Sequence, residues 1–134
     1  MRESRLVHRV QWGETDAAGI VFYPNYYRWF DQATHELFRA LGYTVPQLTA
    51  EGFVIPLIET KARFSSSLRL DDEVVVTSHI GEVRTRAFRI DHMVTHGETL
   101  ACTGYEVRIW ARQSDGDILP EPLPTRVRAV LGQD

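Results

Sequence analysis

Asp16 is followed by Ala17, Ala18 and Gly19, and the chain then runs Ile20-Val21-Phe22-Tyr23-Pro24. Small residues ending in glycine let a ligand come close to the backbone. Pro24 suits the first position of a helix, where its missing N–H is not needed. The first amides of a helix have no internal partner, and the helix dipole makes that end positive. A carboxylate and a free amide facing one small gap are the least that attack on an acyl carbon requires. In that chemistry Asp16 is the nucleophile or the general base for water, and a backbone N–H near Tyr23 holds the oxyanion. Pro24 cannot donate, so the useful amide lies before it or beyond it. Taken alone, Asp16 reads first as a polar-turn or helix-capping aspartate.

The elements that must position these groups follow from periodicity. Tyr26, Trp29, Phe30, Ala33, Leu37 and Leu41 recur every three or four residues, which predicts one long helix from Pro24 to a closing Gly42. Thr44 caps a short helix, Val45 to Glu51. The rest reads as strands: Leu6 to Gln11; Phe53 to Phe64, interrupted or bent at Pro56; Glu73 to Glu82; Ala87 to Thr95; and Thr99 to Arg112. In the last, Ala101, Thr103, Tyr105, Val107 and Ile109 share one face. Turns fall around Val83 to Arg86, at His96-Gly97-Glu98 and at Ser114 to Asp117, and a short helix spans Thr125 to Leu131. One early helix followed by consecutive strands argues for an antiparallel α+β domain, not a parallel α/β one.

Bulk properties narrow the classes. The 134 residues, 43% hydrophobic and 25% charged, suit a single soluble domain over 1–134. The net charge of −3 argues against a bulk nucleic-acid-binding role. No apolar run approaches membrane-spanning length and no secretory signal is visible, so no membrane partner is expected. Cys102 is the only cysteine, which excludes an internal disulfide and makes a reducing cytoplasm the default compartment. The five histidines are scattered without metal-ligand spacing. There is no phosphate-loop lysine motif, no GxSxG and no dinucleotide fingerprint.

The run Glu14-Thr15-Asp16-Ala17-Ala18-Gly19-Ile20-Val21-Phe22-Tyr23-Pro24-Asn25-Tyr26, with Arg28-Trp29-Phe30-Asp31 after it, resembles the motif of the 4-hydroxybenzoyl-CoA thioesterase group of hotdog-fold proteins. The resemblance implies an α+β hotdog fold, an antiparallel sheet wrapped around one long central helix. It implies hydrolysis of an aromatic acyl-CoA, such as a hydroxybenzoyl-CoA, to the acid and free CoA, with no metal and no cofactor beyond the coenzyme A of the substrate. It also implies a homodimer or homotetramer with each active site between subunits. Asp16 would attack the thioester covalently or activate water, beside Gly19, and the Tyr23 amide would hold the carbonyl oxygen. Asp31 matches the position that binds a ring hydroxyl; its other reading is a solvated helix carboxylate. Trp29 lines the acyl pocket or packs in the core. Arg84 and Arg86, with Thr85 between them, match a basic cluster for CoA phosphates. Ser65 touches the pantetheine arm or belongs to a plain polar loop.

Other functions stay open. One is a broad short-chain aliphatic acyl-CoA thioesterase. A hotdog hydratase or dehydratase would need an acid/base pair, usually with a histidine, and none lies near Asp16 in sequence. A non-catalytic acyl-CoA-binding module would gain little from a carboxylate facing a thioester.

Overall fold

The computed structural model describes residues 2–132. Strand β1 (Glu3–Arg9) leads through a 3-10 turn (Trp12–Glu14) to helix α1 (Pro24–Ala40) and the short α2 (Val45–Ala50). Strands β2 (Phe53–Val54), β3 (Leu57–Phe64), β4 (Glu73–Val83), β5 (Ala87–His96), β6 (Thr99–Ile109), β7 (Ala111–Ser114) and β8 (Asp117–Pro120) follow, then α3 (Thr125–Leu131). All pairings are antiparallel. Five strands form one sheet in the order β1-β4-β5-β6-β3, and β2-β7-β8 form a second.

Helix α1 begins with Pro24 at its first turn, and Gly42 takes a left-handed φ of +92° just past its end. All six residues of the expected apolar face are buried, from 0% exposed at Phe30 to 6% at Leu41. Asn25, Thr34 and Phe38 are buried as well, so more than one face is covered. Each such apolar side chain contributes roughly 1.5–3 kcal/mol. Packing therefore holds this helix, because its aromatic and β-branched residues are only ordinary helix formers. Thr44 Oγ accepts from the Gln47 N–H and caps α2 as expected.

Two expected strands are divided. The stretch from Phe53 breaks at Ile55-Pro56, and its halves enter different sheets. The stretch from Thr99 breaks at the buried Trp110, whose N–H donates to Arg86 O at 2.7 Å. The tail gains β8 through a turn at Asp115 and Gly116, both with positive φ, the geometry of a tight hairpin. β1 starts and ends earlier than its pattern suggested.

The expected alternation of β6, with Ala101 on the face of Thr103, Tyr105, Val107 and Ile109, is corrected. Val94 pairs with Cys102 and Thr95 with Leu100, which leaves Ala101 as an extra residue. A bulge reverses the alternation beyond it. Ala101 and Cys102 are both fully buried, and Gly104, Glu106 and Arg108 then take the helix side.

The core has two apolar halves. Val21, Tyr26, Trp29, Leu68 and Cys102 pack around the start of α1. Leu37, Phe38, Phe88, Trp110 and Val127 pack around its end. A polar belt of Thr34, Ser78, His92 and Glu106 lies between them, all 3% exposed or less. Among the described residues, no helix is long and apolar enough to cross a membrane.

Candidate active site

The Asp16 loop is pinned before it reaches α1. Glu14 Oε1 accepts from His8 Nε2 at 2.7 Å and from the Gln11 N–H at 2.8 Å, and Oε2 accepts from Trp29 Nε1 at 2.9 Å. Desolvation pushes the Glu14 carboxyl up, but these three donors outweigh it and hold the pKa below the ordinary carboxylate value. The Glu14 carbonyl accepts from the Phe22 N–H at 2.8 Å and from Asn25 Nδ2 at 2.9 Å. One residue thus ties the loop to β1 on one side and to the first turns of α1 on the other.

Inside that clamp the backbone turns on Asp16. Its N–H donates to Ile20 O and its carbonyl accepts from Gly19, both at 2.9 Å. Gly19 has a φ of +78°, which disfavours any side chain there. Asp16 Oδ1 accepts from the Ala18 N–H at 2.9 Å, and the residue is exposed. The carboxylate is thereby fixed by one oxygen, and the other is open to solvent or substrate.

The helix start supplies the amide. Asn25 and Tyr26 donate back to Phe22 and Tyr23 carbonyls, and Pro24 has no N–H. Among the described residues, nothing accepts from the Tyr23 N–H. Tyr23 lines a cavity of about 250 Å³ with Ile20, Tyr26, Phe64 and Ser65. Burial, and then the nearby Cys102, push the Tyr26 phenol up to about 12, so it stays protonated. Tyr23 and Ser65 are brought together here, and Asp16 sits on the adjoining loop without lining the cavity.

Asp31 belongs to a second cavity of about 540 Å³, seven residues along the helix, lined by Tyr27, Arg28, Asp31, Leu57, Thr60 and Arg108. Asp31 Oδ1 accepts from Arg108 Nη2 at 3.0 Å, and that nitrogen also donates to Glu106 Oε2 at 2.8 Å. Glu106 Oε1 accepts from Thr34 Oγ and from His92 Nε2, the latter at 3.0 Å. Burial raises the Glu106 carboxyl, but the His92 bond, the Arg108 charge and the Thr34 bond override it and bring it to about 2. Phe30 stacks on His92, ring centres 4.6 Å apart, in space that Gly104 leaves open.

Trp29, expected among the acyl-pocket residues or the core, is in the core at 1% exposed, with its N–H spent on Glu14. Arg84 and Arg86 lie in the β4–β5 turn, at the end of α1 opposite Tyr23. Arg84 pairs with Glu82 at 3.1 Å, and both are exposed. Arg86 is exposed, and among the described residues no carboxylate pairs with it. Glu14, Glu106, Arg108 and Thr60 were not singled out from sequence. Glu14 stood inside the motif, whereas nothing in the β6 pattern marked Glu106 and Arg108 as facing the helix. Among the described residues, no three His, Cys, Asp or Glu side chains converge as a metal-holding group.

Comparison with known proteins shows the family. The model of the thioesterase-like superfamily matches residues 10–131. The chain is 31% identical over 126 residues to 4-hydroxybenzoyl-CoA thioesterase of Pseudomonas sp. strain CBS-3, covering 88% of this chain and 89% of the other. A solved gentisyl-coenzyme A thioesterase superposes with a TM-score of 0.86 at 34% identity, over 93% of this chain and 99% of that one. A mutant 4-hydroxybenzoyl-CoA thioesterase, solved with 4-hydroxybenzoyl-CoA bound, superposes with a TM-score of 0.89 at 26% identity, over 98% and 100%.

Proposed function

The chain belongs to the thioesterase-like superfamily of hotdog-fold acyl-CoA thioester hydrolases, and on that premise we propose that it cleaves a hydroxybenzoyl-type aromatic acyl-CoA with Asp16 as the reacting carboxylate. The thioester carbonyl oxygen sits on the Tyr23 N–H. The open oxygen of Asp16 attacks the carbonyl carbon, the C–S bond breaks, and CoA leaves as a thiolate that takes up a proton. Water then hydrolyses the resulting anhydride to free acid and restored Asp16. In the general-base variant, Asp16 takes the proton from a water that attacks directly.

The observation that carries this reading is the partnerless Tyr23 amide opening on a cavity beside a loop whose carboxylate has one oxygen free. Asp31 would accept the hydrogen bond of a ring hydroxyl. Arg84 and Arg86 would meet CoA phosphates, and Ser65 the pantetheine arm.

These groups do not share one cavity within a single chain, and the edge strand β3 supplies a way to unite them. Its Phe64 end lines the Tyr23 cavity and its Leu57 end lines the Asp31 cavity. Leu57, Ile58 and Phe64 are 45–58% exposed on this outermost strand. Antiparallel pairing of β3 with its copy in a two-fold dimer would set the Phe64 end of one chain against the Leu57 end of the other. The Tyr23 cavity of one copy would then meet the Asp31 cavity of its partner, and the exposed edge would be covered.

The test is free-thiol release from a panel of aromatic and aliphatic acyl-CoAs by wild type and Asp16→Asn. The expected result is release that is fastest with hydroxybenzoyl-CoA and collapses in the folded variant. Fastest release from short aliphatic acyl-CoAs would overturn the aromatic reading. Full activity in Asp16→Asn would remove Asp16 from the chemistry.

A further inference from the structure

Asp31 is held at its cavity by a cation that reaches it from inside the protein. Arg108 is 7% exposed on β6. Its Nη1 donates to Ile55 O at 2.9 Å, and its Nη2 is shared between Glu106 Oε2 at 2.8 Å and Asp31 Oδ1 at 3.0 Å. Behind it, Glu106 is fixed by Thr34 and His92, and Ser78 Oγ lies 2.6 Å from His92 Nδ1. The guanidinium cannot rotate away from Asp31 without giving up Glu106 and the Ile55 carbonyl.

The plain alternative is that the network is structural and Asp31 is incidental to it. The geometry argues otherwise. Glu106 already supplies Arg108 with a buried counter-charge, so a second carboxylate is not needed for charge balance. The Asp31 side chain is 55% exposed, and a partly solvated pair of this kind stabilises a fold little. What the bond does determine is direction. With Oδ1 tied to Arg108, Oδ2 is the oxygen left to accept from a ligand, and the His35 imidazole Nε2 lies 3.9 Å from it. Tyr27, Leu57 and Thr60 line the same cavity.

We propose that Arg108 is a positioning residue that sets acyl-group specificity, by aiming the free oxygen of Asp31 at a hydroxyl on the acyl ring. This rests on the reading that Asp31 receives that hydroxyl. The substrate class that follows is an aromatic acyl thioester bearing a hydrogen-bond donor, in preference to the same ring without one. Once a bound acyl ring covers Asp31, an analogue lacking the donor leaves that acceptor desolvated and unpaired, and is rejected for that reason.

The experiment measures kcat/KM for 4-hydroxybenzoyl-CoA and for benzoyl-CoA and takes their ratio. The fraction of folded enzyme cancels in that ratio, so a purely structural role would not move it. The enzymes are wild type, Asp31→Ala, Arg108→Lys and the double variant Glu106→Gln/Arg108→Gln, which removes the buried charges together. Wild type should prefer the hydroxylated substrate. Asp31→Ala and the double variant should each lower the ratio about tenfold or more. Arg108→Lys should fall between them and wild type, because an ammonium cannot bridge two carboxylates and a carbonyl as a planar fork does. If Asp31→Ala lowers the ratio but both Arg108 variants keep it, the role of Arg108 is wrong and that of Asp31 stands. No preference in wild type, or a ratio unmoved by Asp31→Ala, overturns both.

Discussion

Around Asp16 the holding bonds are local, and several are made by the main chain. Those made by Glu14 and Asp16 join residues 2 to 15 positions apart, such as Ala18 to Asp16, His8 to Glu14 and Trp29 to Glu14. Around Asp31 the bonds that tie the helix to the sheet run between side chains 58 to 77 positions apart, from Thr34 to His92 and Glu106 and from Asp31 to Arg108. The first arrangement leaves its carboxylate exposed on a short pinned loop. The second buries a carboxylate and a guanidinium and lets only Asp31 reach the surface. A loop held by separate local bonds can lose one group and keep its shape. A buried charge cluster is interdependent, because each member pays for the desolvation of the next.

The largest effect expected is on catalysis. Asp16→Asn should lower kcat about 10²–10⁴-fold, with the thermal midpoint unchanged. If midpoint and activity fall together, the loop is structural and the contrast between the two regions is lost. Next comes Arg108→Gln, which leaves Glu106 buried without its cation and should cost about 3–5 kcal/mol in denaturant unfolding. The double variant Glu106→Gln/Arg108→Gln should recover most of that loss. A double variant no better than the single one would show that the cluster is not interdependent.

Gly104→Ala is the next in size. A Cβ there would lie 2.6 Å from the Phe30 ring that stacks on His92. Overpacking of this kind costs about 1–3 kcal/mol, readable as a lower midpoint. The smallest expected effect is a change in the pH profile of stability. Glu106 is depressed from 4.5 to about 2 on folding, so its contribution is fully present above about pH 4.5 and is lost as pH falls toward 2. Glu106→Gln should flatten the acid limb of unfolding across that window. Glu14, depressed in the same direction, should leave part of the acid slope behind.

Much of the Asp16 region was legible in the sequence. The proline start, the small residues and the spacing to Tyr23 act over a few residues, and the six apolar residues that periodicity picked out, from Tyr26 to Leu41, are all buried. The Asp31 region was legible only at Asp31 itself. Reading β6 as strict alternation placed Ala101 on one face with Thr103, Tyr105, Val107 and Ile109. The unpaired Ala101 reverses that order and turns Glu106 and Arg108 toward the helix. No pattern within β6 marks the bulge, because it arises from how β5 and β6 pair.

The sequence by itself therefore determined the central helix, its proline start and the loop that carries Asp16, since these depend on backbone preferences and contacts between near neighbours. Only the tertiary structure decided which carboxylate Arg108 grips, and that the Tyr23 and Asp31 cavities open at opposite ends of one edge strand. Those outcomes depend on strand register, and a shift of one residue in register exchanges the two faces of a strand without changing its composition.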